Sequence, residues 1–307
     1  MTAATDGGLL DWLAKSLGWP SARATVERIG EGHSREMLIV RPEGASPVVV
    51  RIEQGGVFGT TSAEECRVMK ALKARGVAVA EILAGDAGSV IGRPFFVMEF
   101  VDGVERPIPT TAFVDRLHAL HTLPVDDELR ATFDRSPETA RDATFGQIDR
   151  WYEVYRSAVA GEIDGLERAA RWLRANVPDD GRLAVVHGDA GPGNFVHDGV
   201  DVRAFTDWEF AHLGDSREDW SFCVSMRGPR VLGREEWLST IAERTGVKFD
   251  DESWRYWEAF NLFKGACANL TCRHLYETGR NPAPNMAIVG TAVHRLFLHR
   301  LVAVITD

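Results

Sequence analysis

Apolar positions recur along this chain with two different periods, and the change from one to the other divides it into two regions. Residues 9–17 have helical spacing and are broken by Pro20 and its neighbours, which predicts a short amphipathic helix at the start. Residues 26–29 and 37–40 then read as strands on either side of Gly30-Glu31-Gly32-His33-Ser34-Arg35, and residues 48–52 read as a central-type strand. Residues 63–74 are rich in helix formers, with Val68, Met69 and Leu72 as the apolar positions. Residues 77–83 and 94–100 add two strands, and Asp102-Gly103 closes the region in a turn suited to a hinge. From Thr111 onward the period is helical. Leu117, Leu120 and His121 share one run, residues 145–159 form another, and residues 254–276 and 286–305 are long helical segments separated by a Gly- and Pro-containing break. One stretch interrupts this helical half: residues 184–186 read as a buried strand, and residues 195–197 and 202–206 flank Asp198-Gly199, a strong hairpin signal.

Composition fits two lobes. The 307 residues, 45% hydrophobic and 26% charged, describe an ordinary soluble globular chain. A formal net charge of −10 argues against a general nucleic-acid binder, which needs a basic surface to attract phosphate backbones. No run approaches the roughly 18 apolar residues of a membrane span, and the start, MTAATDGGLLDW, lacks the basic and apolar parts of a secretory signal. The expectation is a cytoplasmic protein with no membrane partner; the sequence leaves its oligomeric state open. Cys66, Cys223, Cys267 and Cys272 form no CxxC pair, which suits a reducing compartment, and Cys267 and Cys272 read as core thiols.

The interrupting stretch carries the candidate chemistry. Its first strand ends in His187-Gly188-Asp189, so a carboxylate emerges at the strand's end. Asn194 follows after a Gly-Pro-Gly loop, and the return strand of the hairpin delivers Asp207 close to it. Taken singly, each aspartate also reads as a turn residue beside glycine. Together, on hairpin-linked strands, the three read as a phosphoryl-transfer site: Asn194 and Asp207 supply hard oxygen ligands for Mg²⁺, and Asp189 accepts or steers the proton of an acceptor hydroxyl. In the N-terminal region, the loop at 30–35 can fold over phosphates because glycine permits close approach of the backbone. Arg51 sits near the end of its strand and needs an anionic partner if buried; otherwise it is a surface arginine on an edge strand. Glu64 and Glu65 begin the helix at 63–74, where the helix dipole favours acids.

The HGDxxxxN pattern at 187–194, followed by Asp207-Trp208-Glu209, Ala211, Gly214-Asp215 and Asp219, resembles the aminoglycoside phosphotransferase and choline kinase family, relatives of the protein kinases. The stretch VIGRPFFVMEFVDG at 90–103 resembles the branch that includes kinase domains linked to acyl-CoA dehydrogenases. The resemblance covers nearly the full chain. It implies an α+β, bilobal protein-kinase-like fold. Residues 1–101 would form a small antiparallel β lobe with one main helix that binds nucleotide, and residues 102–307 a larger, mostly helical lobe with the catalytic loop and acceptor site. It further implies a kinase that moves the γ-phosphate of ATP or GTP, with Mg²⁺, to a hydroxyl of a small molecule. Asp189 is then the catalytic-loop aspartate, Asn194 and Asp207 are magnesium ligands, and Asp219 and His187 are structural. Ser34 lies in the nucleotide-covering loop, Arg51 and Glu65 form the phosphate-positioning pair, backbone groups of Glu99 and Val101 meet adenine, and Met98 faces it. Two departures, Arg35 where the family usually has Asn and Arg51 where it usually has Lys, keep a catalytically weak nucleotide-binding module as the alternative. A metal-dependent hydrolase fits less well, because such sites draw on several histidines or a dense carboxylate cluster. The acceptor is not chosen among aminoglycosides, macrolides, choline-like alcohols, sugars and hydroxyacyl-CoA compounds.

Overall fold

The computed structural model describes residues 3–31, 35–53, 61–104 and 106–306. Ser34, expected in the nucleotide-covering loop, lies outside them. The chain opens with helix α1 (Ala3–Leu17) and strands β1 (Ala24–Glu31), β2 (Arg35–Pro42) and β3 (Val48–Glu53), followed by helix α2 (Ser62–Ala74) and strands β4 (Ile82–Asp86) and β5 (Phe95–Glu99). These strands form one antiparallel sheet in the order β1-β2-β3-β5-β4. Strand β3 is therefore central, with Arg51 opposite Met37 on β2 and Phe96 on β5. An edge-strand surface position for Arg51 is excluded. Leu9 and Leu13 of α1 pack under Val40, Val50 and Phe95 and close one face of the sheet.

The remainder is mostly helical: α3 (Thr110–His121), α4 (Asp127–Arg130), α5 (Ala140–Ala158) and α6 (Asp164–Ala175) precede the strands, and α7 (Arg217–Phe222), α8 (Arg234–Thr245), α9 (Asp251–Glu277), α10 (Pro284–Ile288) and α11 (His294–Thr306) follow them. Between α6 and α7 run β6 (Leu183–Val186), β7 (Phe195–His197), β8 (Val202–Phe205) and β9 (His212–Asp215). Strand β6 pairs with β9, and β7 pairs with β8, both antiparallel. This is the bilobal α+β architecture expected, with a small antiparallel sheet and a larger helical part.

Three departures from the sequence expectation have physical causes. Residues 77–81 stay out of the sheet. Val79 makes a single parallel bridge to Phe205, and the Ala78 carbonyl accepts the Phe205 N–H, because this segment leaves α2 toward the helical part before β4 begins. The expected C-terminal helix is continuous only with a wide π-helical stretch, Val289–Val293, between α10 and α11. There Gly290 approaches α9 so closely that a Cβ would lie 2.3 Å from the Arg273 nitrogen, and widening the helix accommodates the crossing. The same segment corrects the expectation about membrane spans: Pro284–Thr306 is long and apolar enough to cross a membrane by length and composition. His294, Arg295, His299 and Arg300 interrupt it and hide it from a search for an unbroken apolar run. Its His294 and Leu301 are buried, and α11 packs on α6 and α9.

Strands β6 to β9 hang on a core that joins both parts of the molecule. Val68, Met69 and Leu72 of α2 belong to the same apolar cluster as Phe113, Leu117 and Leu120 of α3, Phe195, Phe205 and Trp208 of the hairpin region, and Trp237 of α8. Phe113 is its hub: fully buried, stacked on Phe195 at 4.9 Å between ring centroids, and edge-on to Phe205 and Trp237 at 6.1 and 6.0 Å. Truncating it leaves a cavity under the hairpin. Phe113→Ala should therefore lose about 3–5 kcal/mol of unfolding free energy in urea titration, whereas a loss under about 1 kcal/mol would mean the cluster repacks and does not hold the hairpin.

Candidate active site

Strand β6 delivers the chain into a loop whose backbone is fixed from beneath. Gly188 has φ 83°, and a Cβ there would lie 2.6 Å from the Phe210 carbonyl oxygen, so glycine is required on both grounds. Its N–H and that of His187 both donate to the two oxygens of Asp219, at 2.8 Å each. The second Asp219 oxygen also meets His121 Nε2 at 2.9 Å. Asp219 is fully buried. Burial works against its charge, yet His121 and these N–H donors outweigh it and bring its pKa down to about 2. The Gly188 carbonyl is held in turn by Lys264 Nζ of α9 at 2.7 Å, and Lys264 pairs with Glu218 at 2.6 Å, a second buried ion pair under the loop.

His187 is fully buried, with Nε2 2.9 Å from the Thr206 carbonyl and Nδ1 3.3 Å from the Asp189 N–H. A carbonyl accepts and an N–H donates, so this network places one proton, on Nε2. The ring is neutral, in agreement with burial lowering its pKa. It holds β8 to the loop through two backbone groups.

Asp189, 7% exposed, is held by three donors. Asn194 Nδ2 reaches its Oδ2 at 2.6 Å, Arg227 Nε reaches its Oδ1 at 3.1 Å, and Arg227 Nη2 contacts Oδ2. Burial raises its pKa, with Arg227 opposing. Asn194 also donates to the Asp189 carbonyl at 2.9 Å, while its own carbonyl accepts the Thr206 N–H at 3.0 Å, one residue before Asp207. The hairpin thus draws Asp189, Asn194 and Asp207 together.

Asp207 has φ 68°, the one positive φ outside glycine among the described residues. Aspartate tolerates this region better than most residues, though at a cost of order 1–3 kcal/mol, and such strain concentrates at functional positions. Its carboxylate, 31% exposed, meets Arg51 Nη2 at 2.6 Å. Burial opposes the charge, but Arg51 outweighs it and lowers the pKa. Arg51 is 5% exposed and spans the gap between the sheet and the hairpin: its Nε lies 3.1 Å from Glu65 of α2, and Glu209 is 3.9 Å from Nη2. Burial disfavours the guanidinium charge, yet Glu65, Asp207 and Glu209 together raise its pKa above the ordinary value. Glu64, the neighbouring acid, points elsewhere and caps its own helix through Thr61.

Between the sheet and the hairpin lies a cavity of about 250 Å³ whose walls include Ile29, Met37, Val49, Met98, Val101, Asn194 and Phe205, with Arg51, Glu65 and Asp207 among its lining residues. The backbone from Met98 to Val101 borders it. The Glu99 N–H is engaged with the Glu81 carbonyl at 2.9 Å, and its carboxylate, which binds Lys73 and the Glu81 N–H, braces β4 and α2. A larger cavity, about 720 Å³, lies between α2 and α5 and shares Glu65 as a wall, but Asp189, Asn194 and Asp207 do not line it.

Two groups escape sequence reasoning. Lys264 stands alone among apolar residues in FNLFKGACANL, a signal that its charge needs a buried anion, but nothing local names Glu218. Arg227 gives no signal: it lies 38 residues from Asp189, in the π-helical turn Cys223–Arg227 that follows α7.

Comparison with known proteins shows the family and the fold. A model of the phosphotransferase enzyme family (APH) matches residues 25–257. Acyl-CoA dehydrogenase family member 10 of Mus musculus is 28% identical over 236 residues, covering 66% of this chain but only 22% of that protein's length. Among solved structures, a Ralstonia eutropha protein provisionally named an aminoglycoside phosphotransferase superposes with a TM-score of 0.70 at 22% identity over 97% of both chains. An ethanolamine kinase of Plasmodium vivax gives 0.68 at 12% identity, over 96% of this chain and 86% of that one. At these identities the structural likenesses show the kinase-like fold.

The Asp219 anchor has a pH signature. Its folded-state pKa lies below the ordinary 3.8, so its contribution of roughly 2 kcal/mol is present above about pH 4 and is lost as the pH falls through about 2. The stability gap between the wild type and Asp219→Asn, followed by urea titration from pH 6 down to pH 2.5, should narrow in that window. A constant gap would attribute the effect of Asp219 to packing instead of charge.

Proposed function

Because the chain belongs to the phosphotransferase enzyme family, we propose that it is a small-molecule kinase transferring the γ-phosphate of ATP or GTP to a hydroxyl group. The observation that carries this reading is the convergence of Asp189, Asn194 and Asp207, the last two lining a cavity walled by the sheet, with Arg51 bridging Glu65 and Asp207 beside it. In the proposed mechanism the base lies against the apolar wall at Met98, and backbone groups of Glu99 and Val101 meet its edge. With the Glu99 N–H already engaged, its carbonyl is the group left to accept from the base. Arg51, kept charged and oriented by Glu65, would turn part of its planar fork to the phosphates.

The residues fit a magnesium ion. The Asn194 amide nitrogen is committed to Asp189, which leaves Oδ1 as its free ligand, and Asp207 adds a carboxylate held ionised beside a cation. Mg²⁺ characteristically takes one or two carboxylates and completes its shell with phosphate oxygens and water. When bound, it would neutralise charge developing on the transferring phosphate. Asp189 would align the acceptor hydroxyl and take its proton. The acceptor oxygen then forms the new bond to the γ-phosphorus, and the bond from that phosphorus to the bridging oxygen breaks with its electron pair left on the nucleoside diphosphate. The alternative, nucleotide binding with little or no transfer, is not favoured by a family and structural neighbours named for phosphotransfer.

Two substitutions separate the roles. Asp189→Asn should bind magnesium-ATP within about threefold of wild type while losing at least ~10²-fold in kcat; retention of wild-type turnover would remove Asp189 from the chemistry. Asp207→Ala should instead weaken magnesium-ATP binding in titration calorimetry by about tenfold or more, and unchanged affinity would move the metal elsewhere.

Arg51 needs a paired test, because deleting it removes the nearest cation from buried Glu65 and leaves it Arg35 at 3.6 Å. Arg51→Lys should keep appreciable kcat, whereas Arg51→Ala should lose both activity and stability, the latter by about 3–5 kcal/mol. Steady-state kinetics beside thermal melts check this: an Arg51→Ala variant with wild-type kcat and nucleotide KM would end the phosphate-positioning role.

A further inference from the structure

Arg227 lies along the loop that carries Asp189 and has been given room to do so. Gly191 has φ 146°, and a Cβ there would lie 2.6 Å from the Arg227 Cβ; one at Gly193 would meet Nη1 at 3.4 Å. The guanidinium places Nε on one Asp189 oxygen at 3.1 Å and Nη2 on the other, a planar two-point grip. Asn194 fills a further position on Oδ2. The side chain is two-thirds buried, with 32% exposed.

This grip bears on the task proposed for Asp189. An acceptor hydroxyl must deliver its proton to one of the two oxygens; Oδ2 already takes Arg227 Nη2 and Asn194, so the open position is on Oδ1, which takes Arg227 Nε alone. The hydroxyl therefore arrives against the guanidinium, whose Nη1 is not used on Asp189 and can take an anion that comes with the hydroxyl. While Arg227 is in place it also cancels the charge of Asp189, so the loop offers a cationic acceptor little attraction and a nearby like charge. We propose that Arg227 is a specificity-determining residue of the acceptor site, and that the acceptor carries an oxyanion, carboxylate or phosphate, close to the hydroxyl that is phosphorylated. The anion takes the guanidinium donors that Asp189 leaves unused, and the hydroxyl takes the open position on Asp189 Oδ1. This rests on the kinase reading above and narrows its acceptor class: choline-like and aminoglycoside-like cations are disfavoured relative to hydroxy acids and phosphate-bearing alcohols.

The test measures ADP release from magnesium-ATP with three sets of acceptors. One set carries a carboxylate (glycerate, 3-hydroxybutyrate), one carries phosphate (glycerol 3-phosphate), and one is cationic (choline, ethanolamine, hygromycin B). Wild type is expected to favour a member of an anionic set over every cation by about tenfold or more in kcat/KM, and which set responds identifies the oxyanion. With that acceptor, Arg227→Gln should raise KM by about tenfold or more, and Arg227→Lys should restore part of the loss, a split that general loosening of the loop would not produce. Thermal melts of both variants report on folding, and the wild-type preference stands independently of either. Preference for a cation, an unchanged KM in Arg227→Gln, or magnesium-ATP binding without turnover of any anionic compound would overturn this inference and leave the nucleotide-site reading intact. Failure of wild type to bind magnesium-ATP at all would sink the kinase reading, and this inference with it.

Discussion

Buried Glu65, Asp189 and Glu209 and partly exposed Asp207 are gathered around the sheet and the hairpin, and bringing four acids together is the constraint to which the rest of the architecture responds. Unpaired, they would repel one another in a medium that screens poorly. Arginines resolve this. Arg51 enters from the central strand of the sheet and holds Glu65 and Asp207, Arg35 of β2 lies 3.6 Å from Glu65, and Arg227 enters from the helical side and holds Asp189. Each is a planar fork able to engage two acceptors, which a lysine would not match in the same space. Because Arg51 bonds α2 at one end and the hairpin at the other, charge compensation also ties the two parts of the molecule together at the cleft.

The same constraint explains how stiffly the loop at His187–Asp189 is supported. In the mechanism proposed above, the Asp189 carboxylate serves phosphoryl transfer only if its backbone does not drift, since positioning accounts for much of such a reaction. The backbone groups of His187 and Gly188 are therefore tied to Asp219 and Lys264, which are themselves buried and paired. Beneath them the aromatic cluster centred on Phe113 carries α3, the hairpin and α8 as one unit. The neutral His187 adds a brace between β8 and the loop without adding charge to a crowded site.

Much of this was legible in the chain because it is local. The spacing of Asp189, Asn194 and Asp207 around a Gly-rich loop and an Asp-Gly hairpin places the three side chains together through contacts that span few residues, and the structure has them so. Period alone located the sheet strands and the long helices. Helix α6 was not read from the sequence, although Leu166, Ala169, Ala170 and Leu173 are spaced to bury one face. Misplacing residues 77–81 in a strand has the opposite origin: their apolar side chains suit a strand equally well, and only the neighbouring core draws them to Phe205.

The sequence by itself determined most of the N-terminal strands, the main helices, the change from strand to helix that divides the chain, and the triad of the candidate site, since each depends on periodicity, turn chemistry or short-range spacing. Tertiary structure alone decided how the acids are paired. Whether Arg51 faces Glu65 or Glu64 depends on α2 being capped through Glu64, which turns Glu65 inward. That Arg227 reaches Asp189, and Lys264 the Gly188 carbonyl, depends on where α7 and α9 pack against the loop. Long-range charge pairing leaves no local trace because a partner is chosen by distance in space, and many acids and bases along the chain are chemically equivalent until packing brings two of them together.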